Sequence, residues 1–482
     1  MFRSLISVAV LAALPQLAAA EVPTALQDAA RKAVVTNPEV QAGWHAFRSA
    51  TEEQNVARAG YLPQADLTGA IGDETMKRPD VPVDRFTHNS AALSLNQMVY
   101  DGFLTRSEIS RLGYAKLARY YELVDLSETA AFEAVRAYLD VLRYRDLVRL
   151  AQENYVQHKQ IHGQIGERAD AGVGRRVDLE QAAGRLALAE SNLLTEVSNL
   201  HDVSARYLRI IGEAPPSALP AFMPKSTIGA IPPTAREVLQ SAFMTSPALN
   251  AAVENVRAGQ AQIESRKAAF HPRVDLRARQ AVHDNLEGLS GHSRDAAVEL
   301  VLSYNLFRGG ADQARLRQAA DLLNQAKDLR EKACRDLRQT VSIAFNDVQR
   351  LDEQMRYLDQ HQLSIEKARE AYRGQFDIGQ RTLLDLLDTE NEYFEARRAY
   401  VNAHYNQITA QARTLAGMGQ LMSAVGVARE DLPAAGEIGQ DRTGIEPQTI
   451  CPPEAPRPLE IDKAALLDEA ERAVGRAPRP NR

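Results

Sequence analysis

Cysteine and tryptophan are scarce: 482 residues hold only Cys334, Cys451 and Trp44 from these two types. The two cysteines are far apart and neither sits in a CxxC pair, so they indicate no disulfide framework and no metal-ligand spacing. Cys334 falls on the apolar-to-polar border of a helical stripe, where a thiol is expected to be inert packing. Positive charge is not in excess either. The net charge is −6, and no KH, zinc-finger or RNP-type pattern occurs, so nothing marks a nucleic-acid partner. Phosphate loops, nucleophile elbows and dinucleotide fingerprints are missing, so neither an enzyme class nor a cofactor is indicated. After residue 20 no apolar run reaches ~18 residues, so no transmembrane helix is expected. Proline is absent from Val83 to Ala214 and again from Arg273 to Leu432. A proline in a helix interior costs ~3 kcal/mol, so such gaps suit long helices.

The first twenty residues are built differently. Arg3 precedes an apolar run from Leu5 to Leu14, and Ala18, Ala19 and Ala20 precede Glu21. A basic start, a short apolar core and an A-x-A end describe a cleaved secretory signal, expected over residues 1–20. An anchor helix is the alternative. No cysteine lies near the cleavage point, so lipidation there is not expected. An exported chain of this kind is periplasmic, secreted or a β-barrel protein.

The chain is written twice. Asn37-Pro38 and Tyr61-Leu62-Pro63-Gln64-Ala65-Asp66-Leu67 return as Ser246-Pro247 and Phe270-His271-Pro272-Arg273-Val274-Asp275-Leu276, 209 residues later. Leu93, Leu95, Tyr100 and Gly102 then match Leu300, Leu302, Phe307 and Gly309 at an offset of 207. Gly172, Asp178 and Leu179 match Gly379, Asp385 and Leu386 at that same offset of 207. A register kept over so many positions indicates duplication. The boundaries expected are a first repeat at 21–212, a linker at 213–234, a second repeat at 235–419 and a Pro-rich tail at 420–482. Each repeat reads as a helix (24–60 and 235–269), two short strands, a very long helix, a glycine turn and a second helix.

In the second repeat Leu322, Ala326, Leu329, Ala333, Leu337, Val341, Ala344, Val348, Leu351, Met355 and Leu358 recur at the period of a straight helix. A helix over 311–376 would span ~99 Å, about three bilayer cores, so it stands in water. Alanine in the stripe allows close helix packing. On the helices alone, a soluble coiled-coil rod fits. The strands change that. Val298, Leu300, Leu302, Tyr304 and Leu306 alternate with Glu299, Val301, Ser303 and Asn305. The runs at 66–71, 93–99 and 274–280 alternate in the same way. Such dyads fit barrel strands with lipid outside and water inside. Four strands cannot close a barrel, and open edges are not tolerated in lipid, so several chains must share one.

This layout resembles the TolC-like outer-membrane duct family over nearly all of residues 21–420. The residues that carry the resemblance are Phe376-Asp377-Ile378-Gly379-Gln380-Arg381-Thr382-Leu383-Leu384-Asp385-Leu386-Leu387-Asp388, with an earlier copy at Asp170-Ala171-Gly172-Val173-Gly174-Arg175-Arg176-Val177-Asp178-Leu179. The resemblance implies a mainly α fold with a small β part. Duplicated long-helix hairpins would form a trimeric α-helical barrel, capped by a shared 12-stranded transmembrane β-barrel with four strands from each chain. It also implies an outer-membrane location reaching into the periplasm. The partners implied are two further copies of the chain, outer-membrane lipid, a periplasmic adaptor and an inner-membrane transporter.

Carried over residue by residue, Asp385 and Asp388 match the family's acidic constriction rings. Six carboxylates round one axis would favour cations and push some pKa values up. A solvated helix start is the plain alternative, since aspartate suits a first turn. Arg381 and Asp178 match positions that latch the closed mouth, with Arg175 and Arg176 as electrostatic substitutes. Phe376 stands where the family often has tyrosine, so a hydroxyl is missing from that latch. Gly172, Gly174 and Gly379 suit turns needing positive φ, and with Thr382 they mark the adaptor-facing tips. His158 and His162, four apart, lack an HExxH context and are read as solvated. The tail is expected to be an extended strap, helical near 461–474.

The Asp388-Thr389-Glu390-Asn391-Glu392 and Thr414-Leu415-Ala416-Gly417-Met418-Gly419-Gln420-Leu421 runs resemble type I secretion members. They imply export of a polypeptide with an ABC transporter. A multidrug or metal efflux duct is the alternative. A periplasmic rod and an exported glycosidase are the rival classes. The glycosidase is disfavoured because two carboxylates three apart on one helix, with no sugar-binding aromatics nearby, do not flank a substrate.

Overall fold

The computed structural model describes residues 22–79, 84–221, 228–439, 451–456, 459 and 461–476. The expected signal segment at 1–20 lies outside them, as do parts of the linker and tail.

Proline sets the first break in each repeat. Helix α1 (Thr24–Thr36) stops at Asn37, and α2 (Pro38–Ala59) starts with Pro38. The same break returns between α5 (Ala235–Thr245) and α6 (Pro247–Lys267). The residue before proline is pushed out of the helical region, so Asn37 and Ser246 are extended, with ψ of 125° and 122°. The sequence reading runs one helix through each proline, and the structure corrects it to two. Proline at the first helical position then starts the second helix, where no N–H is needed. The Asn37 side chain also accepts from the Glu39 N–H at 2.8 Å.

Strands β1 (Gln64–Met76), β2 (Asp84–Tyr100), β3 (Arg273–Asp284) and β4 (His292–Ser303) make one antiparallel sheet in that order. They are longer than the alternating runs suggest, and β4 ends before Tyr304. Register puts Leu67 opposite Leu93, Leu95 opposite Ala278, and Leu276 opposite Leu300. Directly opposed residues share a face, so one face is mainly apolar, with Gln280 opposite Leu93 the exception in its middle. The other gathers Asn96, Arg277 and Glu299 in one row and Ser94 and Arg279 in the next. The apolar face is bare: Leu67 is 78%, Ile71 81% and Leu300 70% exposed. Among the described residues β1 and β4 each have one unpaired edge.

The long helices α3 (Leu104–Asp170) and α7 (Ala311–Asp377) have 67 residues each. At 1.5 Å per residue each spans ~100 Å. Each turns back into a shorter helix, α4 (Arg176–Ile211) and α8 (Leu383–Gly417). No helix among the described residues is long and apolar enough to cross a membrane. The predicted α7 stripe is only partly covered. Val341 and Ala344 are buried, but Leu322 and Leu329 are exposed, while Leu323 and Phe345 take the buried places.

The main core lies midway along the helices. Leu26, Val34, Tyr138, Tyr207, Leu239, Phe243 and Leu415 pack there. Cys334 and Cys451 are bonded in this core and fully buried, which corrects the reading of two unrelated thiols. The spacing of 117 residues hid the pair, because the tail returns to α7 from outside the repeat. Beyond Cys451 the tail keeps to α7: the Leu459 carbonyl accepts from Arg350 at 2.9 Å, and Lys463 donates to the Tyr357 hydroxyl at 2.8 Å. A helix, α10 (Lys463–Arg476), follows close to the expected position.

The short helix α9 (Leu421–Ala424) is held by a buried carboxylate. Glu128 of α3 accepts from the Leu421 and Met422 N–H groups at 3.1 and 3.2 Å, satisfying donors that a helix start leaves free. Burial still dominates and pushes the Glu128 pKa up from 4.5 to about 7, with nearby Asp125 adding repulsion. A carboxyl whose pKa is higher when folded binds more protons folded. Its contribution is therefore full below pH 4.5 and is lost as pH rises through about 7. Glu128→Gln should gain stability relative to wild type over that interval, read as the heat-dissociation temperature of the purified assembly. A gap that does not change with pH would contradict this.

Candidate functional site at the helical tips

The far ends of the two hairpins are built alike. The α3–α4 turn closes through Gly172, at φ 75°, with the Val173 and Gly174 N–H groups donating to the Arg168 carbonyl at 3.0 and 2.8 Å. The α7–α8 turn closes through Gly379, at φ 77°, with the Gln380 N–H donating to the Gln375 carbonyl at 2.8 Å. Positive φ explains these two glycines. Gly174 needs another reason, since its φ is not positive. A Cβ there would come within 2.9 Å of the Ala169 nitrogen. Val173, Val177, Ile378 and Leu384 project from the tips, exposed.

Beneath the turns lies a small core of Ile161, Ile165, Phe376, Leu383, Leu386 and Leu387. Phe376 is buried in it, with the Arg168 guanidinium 4.9 Å from its ring centre. The missing hydroxyl therefore belongs to a core position. Tyr372, one helical turn earlier, brings an aromatic ring to this tip. The Arg381 guanidinium stacks 4.2 Å from its ring centre. Sequence reasoning missed Tyr372. Its spacing of nine residues from Arg381 becomes informative only once the turn folds back.

Within one chain the latch candidates take separate partners. Arg381 donates to Gln375 at 2.9 Å and has no contact with Asp178. Asp178 is instead gripped within its own turn by Arg175, through two contacts of 3.1 Å. Arg176 opens α4 and is exposed.

The two aspartates also part company. Thr382 and Asp385 form a reciprocal capping box: the Thr382 hydroxyl and N–H donate to the Asp385 carboxylate at 2.7 and 3.1 Å, and the Asp385 N–H returns to the hydroxyl at 3.3 Å. Those hydrogen bonds, with Arg381 nearby, hold the Asp385 pKa below the usual carboxylate value within one chain. Asp388 pairs across the hairpins with Arg185 of α4 at 2.6 Å.

Further up, charged groups tie the hairpins together. Buried Glu390 holds Arg369 at 2.7 Å and Arg373 at 3.3 Å, joining α8 to α7. Arg373 reaches Gln157, and Arg397 reaches Glu153, joining both to α3. Arg398 and Glu196, 2.9 Å apart, join α8 to α4. His158, read from the sequence as solvated, is buried here, its ring 3.0 Å from the Asn154 carbonyl. Among the described residues no group of three or more potential metal ligands gathers.

Two helical hairpins of such length, rooted in a small sheet with an apolar outer face, define the architecture of a membrane duct subunit. Residues 29–213 and 238–420 match the outer membrane efflux protein family, and the chain belongs to it. The chain is 25% identical to the outer membrane efflux protein BepC of Brucella suis, over 82% of this chain and 85% of that protein. It is 23% identical to the outer membrane protein TolC of Escherichia coli, over 89% and 87%. The alkaline protease secretion protein AprF of Pseudomonas aeruginosa is 24% identical, over 80% and 83%. Among solved structures, a membrane protein from Pseudomonas aeruginosa superposes with a TM-score of 0.75 at 19% identity, over 83% of this chain and 94% of that one. The family places the chain in the outer membrane.

The capping box makes a local prediction. Thr382→Val should cost about 1 kcal/mol at the start of α8. Trypsin should then cut after Arg381 several-fold faster in limited digestion of the purified protein. An unchanged rate would mean that the box does not hold the tip.

Proposed function

We propose that the chain is one of three identical subunits of an outer-membrane export duct, serving type I secretion of a polypeptide. A periplasmic adaptor and an inner-membrane ABC transporter would open it and supply the energy. The observation that carries the duct reading is the four-stranded sheet with a bare apolar face and two unpaired edges. Joining β4 of one copy to β1 of the next closes a ring and satisfies every edge. The secretion branch is supported by the runs at 388–392 and 414–421 and by the likeness to AprF, named for alkaline protease secretion. The likeness to BepC, named as an efflux protein, supports the second reading, a drug or metal efflux duct.

At the mouth, Asp385 and Asp388 are the proposed constriction residues. Arg185 offsets Asp388 within each chain, so Asp385 carries most of the uncompensated charge. Like charges brought together in the assembly would oppose the hydrogen bonds that lower its pKa. Val173, Gly172, Gly174, Gly379 and Thr382 form the adaptor-facing turns, and Arg175, Arg176, Arg381 and Asp178 set their charge. Two repeats, with a linker at 213–234 and a tail at 420–482, are the division proposed with it.

In planar bilayers the protein should give small, cation-favouring current steps. Asp385→Asn should reduce cation selectivity more than Asp388→Asn. Unchanged selectivity in the double variant would remove the ring assignment. Deleting the gene should trap a secreted polypeptide inside the cell. Altered drug or metal sensitivity with secretion intact would replace the secretion reading with efflux.

A further inference from the structure

The polar face of the sheet carries a pair of side chains that passage alone does not require. His283 of β3 lies opposite Ser90 of β2, and His88 is two residues along β2 on the same face. Their ring centres are 5.7 Å apart and their planes differ by 22°. The Nδ1 atoms of both rings are buried and have no hydrogen-bond partner among the described residues. Ser293, opposite His283 on β4, has an unpartnered buried hydroxyl oxygen as well.

The other nitrogen of His283 is engaged. Its Nε2 lies 3.1 Å from Oδ1 of Asp295, which stands opposite Ala281 and so shares this face. A carboxylate accepts, so Nε2 carries the proton in the neutral ring and Nδ1 keeps a free lone pair. This carboxylate–histidine arrangement is the one that orients an imidazole towards a metal. Two imidazoles that each place a nitrogen about 2 Å from one ion put their ring centres ~5–6 Å apart. The observed separation falls in that range.

We propose that His88 and His283 form a site for a borderline divalent transition cation such as Zn²⁺, Ni²⁺ or Cu²⁺, one per chain, with Asp295 as a positioning residue. Imidazole nitrogen suits these ions, whereas Mg²⁺ and Ca²⁺ prefer oxygen. With two protein ligands the remaining positions go to water, so the ion is held reversibly. β1 and β2 meet at the end of the sheet away from the helices, near Met76 and Asp84, and the pair lies towards that end. On the duct reading, the site lines the inside of the barrel near its outer opening. The ligands come from one chain, so the site itself does not depend on that reading.

The test is Zn²⁺ titration of the full-length, untagged, detergent-purified protein by calorimetry. One Zn²⁺ per chain is expected. His88→Ala and His283→Ala should each abolish the binding, and Asp295→Asn should weaken it about 10–100-fold. Copper on the unaltered protein gives a readout free of folding effects, since its electron paramagnetic resonance spectrum should show coupling to two imidazole nitrogens. Absence of saturable Zn²⁺ binding, binding that survives in the double alanine variant, or a copper spectrum without two-nitrogen coupling would overturn the proposal. Current steps in a bilayer, recorded without metal, report separately on the duct reading.

Discussion

An unpaired sheet edge cannot stand in hydrocarbon. Its N–H and C=O groups have no water to turn to, and each unsatisfied group costs several kcal/mol. The described residues carry four strands with an oily outer face and one free edge at each end. Pairing edges between copies resolves the conflict without adding strands. Ring closure in the sheet then sets the helices side by side below it. Exposed Leu322 and Leu329 on α7, and Leu188 and Leu194 on α4, are the sort of surface that neighbouring copies cover.

The helices are held by two different kinds of contact. Midway along, the core is apolar and closed by a disulfide, with the tail fixed to α7. Towards the tips, the apolar core shrinks and ion pairs take over between hairpins, among them Arg185–Asp388, Arg398–Glu196 and the pair of arginines on Glu390. Packed apolar surface resists relative movement; an exposed pair such as Arg185–Asp388 contributes little, while the buried carboxylates of Glu390 and Glu196 depend on keeping their arginines.

Much of this was legible in the sequence. The duplication gave the order of elements, and α3 and α7 prove equal at 67 residues. Dyad alternation identified the four strands, although β1, β2 and β3 extend beyond the alternating runs and β4 starts earlier and ends earlier, at Ser303. Three things escaped. Asn37-Pro38 and Ser246-Pro247 mark the repeat, but apolar periodicity continues on both sides of each proline, so the break shows only in the backbone at Asn37 and Ser246. The Cys334–Cys451 bond joins the repeat to a tail with no periodicity of its own, so no local pattern could show it. At the tips, the partners that each charged residue takes within the chain could not be read from spacing. Arg381 found Tyr372, Asp178 found Arg175 and Asp388 found Arg185, because partners across a turn depend on its geometry.

The number of chains that share the barrel tests the account most directly. Native mass spectrometry of the detergent-solubilised outer-membrane protein should give a single species of three chains. A monomer recovered from the soluble periplasmic extract, without detergent, would mean that the sheet edges are not joined in lipid and that the hairpins form a rod without a pore.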